Sequence, residues 1–259
     1  MSLTYAGYLQ IDELLSLQRA RSDPPEHDEM LFIVIHQTYE LWFKLMLHEI
    51  EKIKRDFSGN DLYGALHTFK RLRTVMKTLV AQLDILETMT PMSFTSFRDR
   101  LEDASGFQSV QFRELEFVLG FRRRETLKYH TDPSAVRTLK SRLQERSLVD
   151  DFHDFLAQQG VSIPASLRLR SPESSSEPNE SVQDGLFTLY TTRGELAILF
   201  ESMMDFDEGL QEWRYRHVKL VERTIGNKRG TGGSPGVAFL KQSLFKPIFP
   251  NLWAIRHRL

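Results

Sequence analysis

Two histidines and an arginine stand where side-chain type and spacing allow chemistry. In DFDEGLQEWRYRHVKLVERTIGNKRGTGGSPG, residues 205–236, Leu210, Trp213, His217, Leu220 and Thr224 recur at steps of three and four, so His217 shares a helical face with apolar anchors. Two readings fit such a residue. It is a core histidine satisfied by a hydrogen bond, or a neutral imidazole offered from a rigid helix to a metal or a haem iron. His36 lies four residues after Phe32 and seven before Phe43, on a second apolar stripe. One such histidine is ordinary, whereas two on different core helices are less so.

Arg98 sits between Phe94 and Leu101 on a short helical stretch, beside the small pair Ser105–Gly106. It reads either as a solvated surface arginine or as a guanidinium able to clamp a carboxylate bidentately. The loop GTGGSPG brings Gly230, Gly232, Gly233 and Gly236 around Thr231. A phosphate-cradling loop would lie between a strand and a helix, and this one follows a helix that Gly226 terminates, so a nucleotide site is rejected. What remains is a helix stop with a flexible linker, or an ordered loop that folds over a ligand with Thr231 at its contact. No HExxH and no pair of Glu-x-x-His repeats occurs, which disfavours zinc-hydrolase and di-iron bundle sites. His48 and His67 read as solvated, while His27, His130, His153 and His257 lie near polar breaks or termini.

Long helices must position these groups. From Asp28 to about Lys54 the chain reads as a helix apolar nearly all round, with Asp28 and Glu29 at its positive end. A second amphipathic helix spans Asp61 to about Thr88, and Thr90–Pro91 ends that region. Ser93 caps a short helix through Leu101, and Ser105–Gly106 breaks the chain before another helix through Phe117. Polar-faced helices fill 122–160, and a long one runs past Gly194 to Ile225. Residues 168–184, rich in Ser, Pro and Glu, read as a mobile loop inside one domain, and 1–27 as a weakly tethered arm carrying Tyr5 and Tyr8. No strand alternation and no fixed repeat appears. The predicted fold is all-α, a helical bundle-like single domain over 1–259.

Composition narrows the chemistry. The 34 basic and 35 acidic residues leave a net charge of −1, so no global field attracts nucleic acid or an anionic membrane. With no cysteine, disulfides, iron–sulfur clusters and thiolate ligands are excluded, which fits a cytoplasmic protein. No apolar run approaches the roughly 18 residues of a membrane span, and the N-terminus shows no export signal.

Four motifs in order, HDEMLFIVIHQTYELWFKLMLHE, SGFQSVQFRELE, FDEGLQEWRYRHVKLVERTIGNKRGTGGS and FPNLWAIRHRL, resemble the tryptophan 2,3-dioxygenase family. The resemblance covers the chain except roughly 121–185. It implies all-α subunits in a homotetramer, each with one haem b, using L-tryptophan and O2 to make N-formylkynurenine in tryptophan catabolism. His217 in EWRYRHV then matches the axial iron ligand, and His36 in FIVIHQ the distal histidine that meets the indole N–H. The segment Phe32, Ile33, Val34, Ile35 and His36, together with Phe94, Arg98, Ser105, Gly106 and Thr231, matches the substrate pocket. Tyr5, Tyr8 and Leu9 resemble residues that reach into a neighbouring subunit's pocket. In this picture Arg98 pairs with the substrate carboxylate and Thr231 contacts the ammonium and carboxylate.

The chain departs from the family pattern at Pro235, where another serine is common, at Val149, where a tyrosine is expected, and in the Ser/Glu-rich 168–184. Two alternatives stay open at this level. One is a haem monooxygenase relative that hydroxylates tryptophan or a substituted tryptophan. The other is a non-catalytic haem- or ligand-binding helical protein.

Overall fold

The computed structural model describes residues 2–259 except 170, 172, 173, 176, 227 and 232–235. Gly232, Gly233 and Pro235 of the glycine loop therefore lie outside the described residues. Among those described there is no strand, so the all-α expectation holds.

Three long helices form the frame. Helix α3 runs over His27–Ser58, α4 over Leu62–Leu86, and α11 over Gly194–Ile225, and α4 packs along both of the others. At 32 residues, α3 and α11 are each about 48 Å long at 1.5 Å per residue. Of the residues whose spacing predicts α4, Phe69, Leu72, Met76, Leu79, Leu83 and Leu86 lie in the core, while Leu62 and Leu66 are half-buried at its edge. Asp61 caps that helix by accepting from the Gly64 amide at 2.9 Å. Where α11 crosses α4, a Cβ on Gly209 would come within 3.3 Å of Met76 Cβ. Glycine permits the close approach of the two backbones there.

The shorter elements wrap this frame. They are α5 (Pro91–Arg98), α6 (Val110–Val118), α7 (Pro133–Gln144), α8 (Leu148–Gln158), α9 (Ala165–Arg168), α10 (Glu180–Thr192), α12 (Val237–Lys241) and α13 (Pro250–Ala254). Thr90, not Ser93, caps α5: its hydroxyl accepts from the Ser93 amide at 3.1 Å with Pro91 in the first turn. The 168–184 loop is shorter than predicted at both ends. Arg168 closes α9, and residues 180–184 are helical because Asn179 caps α10 through the Val182 amide and is itself held by Asn251 at 2.7 Å. His130 and His153, placed by sequence near polar breaks, are buried.

In the arm, α1 (Tyr5–Leu9) and α2 (Ile11–Leu15) bury no residue. The arm is pinned further along, where buried Glu29 accepts from the Arg21 amide at 2.7 Å and the Ser22 amide at 2.9 Å. At the other end, buried Asp207 of α11 accepts from the Ile248 and Phe249 amides and from Trp253 Nε1, each at about 3 Å. That carboxylate fastens the C-terminal segment to α11.

A buried ionic cluster joins α6 to α11. Glu116 is met by Arg113, by Arg123 at 2.6 Å and by Arg214 at 3.5 Å. Burial alone would raise the Glu116 pKa, but the three guanidinium groups outweigh it and hold the carboxyl below its usual value. Removing the acid leaves buried cations without their counter-charge. Glu116→Gln is therefore expected to cost about 3–5 kcal/mol in urea melts. Because the folded pKa is depressed, this advantage of the wild type is fully present above pH 4.5 and is lost as pH falls through the folded pKa.

Candidate active site

A cavity of about 570 Å3 opens between α3, α5, α6 and α11, within the range of sites for cofactors and drug-sized ligands. From α3 its wall takes Phe32, His36, Tyr39 and Phe43, which are one helical stripe at steps of four, three and four. From α11 it takes Trp213, His217, Leu220 and Thr224, the stripe read in the sequence. Phe94 of α5, the Ser105–Gly106 corner, and Gly230 and Thr231 of the glycine loop complete the predicted part of the lining.

His36 donates from Nδ1 to the Phe32 carbonyl at 2.7 Å, since a carbonyl can only accept. In the neutral ring, Nε2 then keeps its lone pair. His36 presents surface to the cavity, yet protein surrounds it on its other sides. That burial lowers its pKa, although the Phe32 carbonyl and the Glu40 charge both favour the protonated form. For His217, burial and then the nearby His36 push the pKa down to about 4. Both rings are neutral near pH 7, as metal ligation and hydrogen-bond acceptance require.

The aromatic wall is tight. Phe32 lies 4.1 Å from the His36 ring centroid, 5.8 Å from Phe94 and 5.6 Å from Phe97. Ser105 is fixed by the turn it opens, accepting from the Phe107 amide at 3.4 Å, while its own amide donates to Gln108 Oε1 at 3.3 Å. A Cβ on Gly106 would meet nothing within 4 Å, so the corner leaves room for a flat group.

Seven predicted residues, Phe32, His36, Phe94, Ser105, Gly106, Thr231 and His217, thus face one cavity. Ile33, Val34 and Ile35 do not line it. Successive helical residues turn by about 100°, so Ile35 enters the core and Val34 faces outward. Arg98 is not in the lining either: its guanidinium donates to the Arg229 carbonyl at 2.8 Å, two residues before Thr231. Tyr5 and Tyr8 are 78% and 72% exposed, and Leu9 is exposed too, all outside this chain's cavity.

Sequence reading missed part of the wall. Glu40 accepts from Ser109 Oγ at 2.5 Å and Gln111 Nε2 at 2.8 Å, binding α6 to α3 beside the cavity. Its position four residues after His36 is the signal that marks it. Tyr39 and Phe112 were equally unremarked, because an all-round apolar helix hides which stripe faces a cavity.

The donor set suits one kind of metal site. Among the described residues no three His, Cys, Asp or Glu side chains converge to hold a bare ion. Neutral imidazoles on a mainly apolar cavity, with no further ligands among the described residues converging beside them, fit a cofactor that brings most of its own ligands, and the haem implied by the family resemblance meets that condition.

A family model for tryptophan 2,3-dioxygenase matches residues 1–172 and 181–259. The chain belongs to the tryptophan 2,3-dioxygenase family. It is 51% identical over 255 residues to the tryptophan 2,3-dioxygenase of Herpetosiphon aurantiacus, covering 98% of each chain. Against that of Anaeromyxobacter dehalogenans it is 50% identical, covering all of this chain and 97% of the relative. The Caulobacter vibrioides enzyme is 42% identical over 99% of this chain and 98% of its own. The tryptophan 2,3-dioxygenase match runs through 121–172, where the recognisable motifs thin out, and stops only at 173–180, within the Ser/Glu-rich segment.

The Arg98 bond ties the glycine loop to α5. Arg98→Ala is expected to speed tryptic cleavage after Lys228 and Arg229 roughly fivefold, the equivalent of about 1 kcal/mol for one hydrogen bond. Timed digestion of the folded protein measures it.

Proposed function

We propose that this chain is a haem-dependent dioxygenase that inserts both atoms of O2 across the indole C2–C3 bond of L-tryptophan, giving N-formylkynurenine as the first step of tryptophan catabolism. The observation that carries the reading is that His217 and His36, both neutral, face the same aromatic-walled cavity from α11 and α3. In this reading His217 would hold the iron of one haem b per subunit. The bound haem supplies O2 binding and the redox chemistry of the ring opening.

The protein's own groups bind and orient. His36 Nε2, with its lone pair left free by the Nδ1 bond to Phe32, accepts a hydrogen bond from the indole N–H. That fixes the ring beside the aromatic wall of Phe32 and Phe94. Arg98, held beside the loop, meets the substrate carboxylate, and Thr231 of the same loop meets the ammonium and carboxylate. Ser105 and Gly106 line the cavity and would leave room for the cofactor. Orientation is the protein's main contribution, since a misplacement of about 1 Å can cost about a hundredfold in rate. Proton abstraction by His36 is not needed if the indole proton stays in place until late.

The exposed arm supports assembly in trans. Tyr5, Tyr8 and Leu9 bury nothing in their own chain and would complete the pocket of a neighbour in a homotetramer. No helix among the described residues is long and apolar enough to cross a membrane, and the absence of cysteine supports work in the cytoplasm.

Incubation of the ferrous, haem-loaded protein with L-tryptophan and 18O2 tests the reaction. Two labelled atoms in the product are expected; a single one would assign the hydroxylating chemistry instead, and haem binding without turnover a carrier. Arg98→Leu is expected to lower kcat/KM for L-tryptophan roughly 10- to 100-fold, in line with loss of a charge-assisted hydrogen bond, and to leave a carboxylate-free indole nearly unaffected. Equal losses on both substrates would remove the clamp role.

A further inference from the structure

His217 has a neighbour that the proposed reaction does not use. The Trp213 indole lies parallel to its imidazole, with ring centroids 5.1 Å apart and an interplanar angle of 4°. The two residues are one helical turn apart on α11, and four residues separate many helical pairs without their rings becoming coplanar. Something outside α11 sets the indole plane.

The surrounding rings do this. Phe112 of α6 packs at 5.2 Å, Tyr39 of α3 at 6.1 Å, and Phe43 meets the indole edge-on at 6.5 Å and 89°. Trp213 is buried, so these contacts leave it little rotational freedom. A polar relay adds direction. Trp213 Nε1 donates to Tyr39 Oη at 3.5 Å, and Tyr39 Oη donates to the Leu79 carbonyl of α4 at 2.6 Å. Burial pushes the Tyr39 pKa up to about 12, so its hydroxyl keeps its hydrogen at any working pH.

We infer that Trp213, held by Tyr39 and the Phe43–Phe112 pair, is a positioning residue that fixes the rotational setting of the His217 imidazole toward its haem. The inference rests on the reading of His217 as the axial ligand. Metal-bound histidines are commonly oriented by a hydrogen bond from their second nitrogen to a carboxylate or carbonyl. Here an aromatic plate takes the orienting part, and it leaves the imidazole without a carboxylate partner to increase its donor strength. The same device links the two sides of the cavity, because Tyr39 stands three residues from His36 on α3.

The test is the iron–histidine stretching band in the resonance Raman spectrum of the ferrous, haem-loaded protein, together with the rate of haem release to an excess of apomyoglobin. In Trp213→Leu the band is expected to shift or broaden and haem release to rise roughly tenfold or more, the usual scale for losing an orienting neighbour of a metal ligand. Trp213→Phe, which restores a flat ring, should recover the wild-type band. Tyr39→Phe deletes one oxygen, removes both bonds of the relay and should broaden the band while the protein stays folded. An unchanged band and release rate in folded Trp213→Leu overturns the inference. If that variant does not fold, an unchanged band in Tyr39→Phe overturns it. His217→Gly separates the two layers of argument: a band that persists in His217→Gly removes the ligand assignment itself, whereas a band lost in His217→Gly and unmoved by Trp213→Leu removes only the positioning role.

Discussion

The site depends on one contact, the packing of Tyr39 and Phe43 of α3 against Trp213 of α11, beside the cavity that His36 and His217 both line. The α3 and α11 stripes repeat at three and four residues, so each helix delivers a histidine and an aromatic at the same level of the cavity. A register shift of one residue in either helix would turn both by about 100° and empty the wall. The crossing of α11 over α4 at Gly209 and Met76 holds that register from behind, since a larger residue at the crossing would move the helix axis.

Charge closes the structure around this contact. Arg214 stands on α11 one turn before His217, ion-pairs with Glu116 of α6, lies over the Phe121 ring at 4.1 Å, and donates to the Lys246 carbonyl at 3.2 Å. Asp207, two turns earlier, binds the amides of Ile248 and Phe249. The segment after α12 is thereby attached to the helix that carries His217, and α6 to the same helix. Buried ion pairs are weak evidence for net stability, because desolvation opposes the Coulomb gain. Their geometry is selective: Arg214 meets Glu116 only when α6 and α11 are in place, and Asp207 meets its amides only when the C-terminal segment lies on α11.

Much of this was legible in the sequence. Spacing gives the helix layout, and the family resemblance assigns His217, His36, Phe94, Ser105, Gly106 and Thr231 to one site; in the structure all six line the same cavity. Two kinds of information were not. Helix ends moved by a few residues, as at Glu180, because the Asn179 cap is locked by Asn251 far along the chain. The orientation of side chains on an all-apolar helix was also hidden: FIVIH reads as one contiguous motif, yet helical geometry sends only its first and last residues into the cavity. Partners distant in sequence, such as Glu116 with Arg214 or Trp213 with Tyr39, leave no local pattern to read.

Arg98 shows how such a long-range partner alters a role without removing it. By family resemblance it is expected to clamp a carboxylate, and in the structure its guanidinium is bonded to the Arg229 carbonyl. A guanidinium offers five donors in a planar fork, so one bond to a neutral carbonyl leaves the others available. A carboxylate carries a full charge and can accept two parallel N–H bonds from the fork, so it would compete well with a single carbonyl. The contact with Arg229 is then compatible with substrate capture. It keeps Arg98 and the backbone leading to Thr231 at one place, as the proposed joint grip on a carboxylate requires.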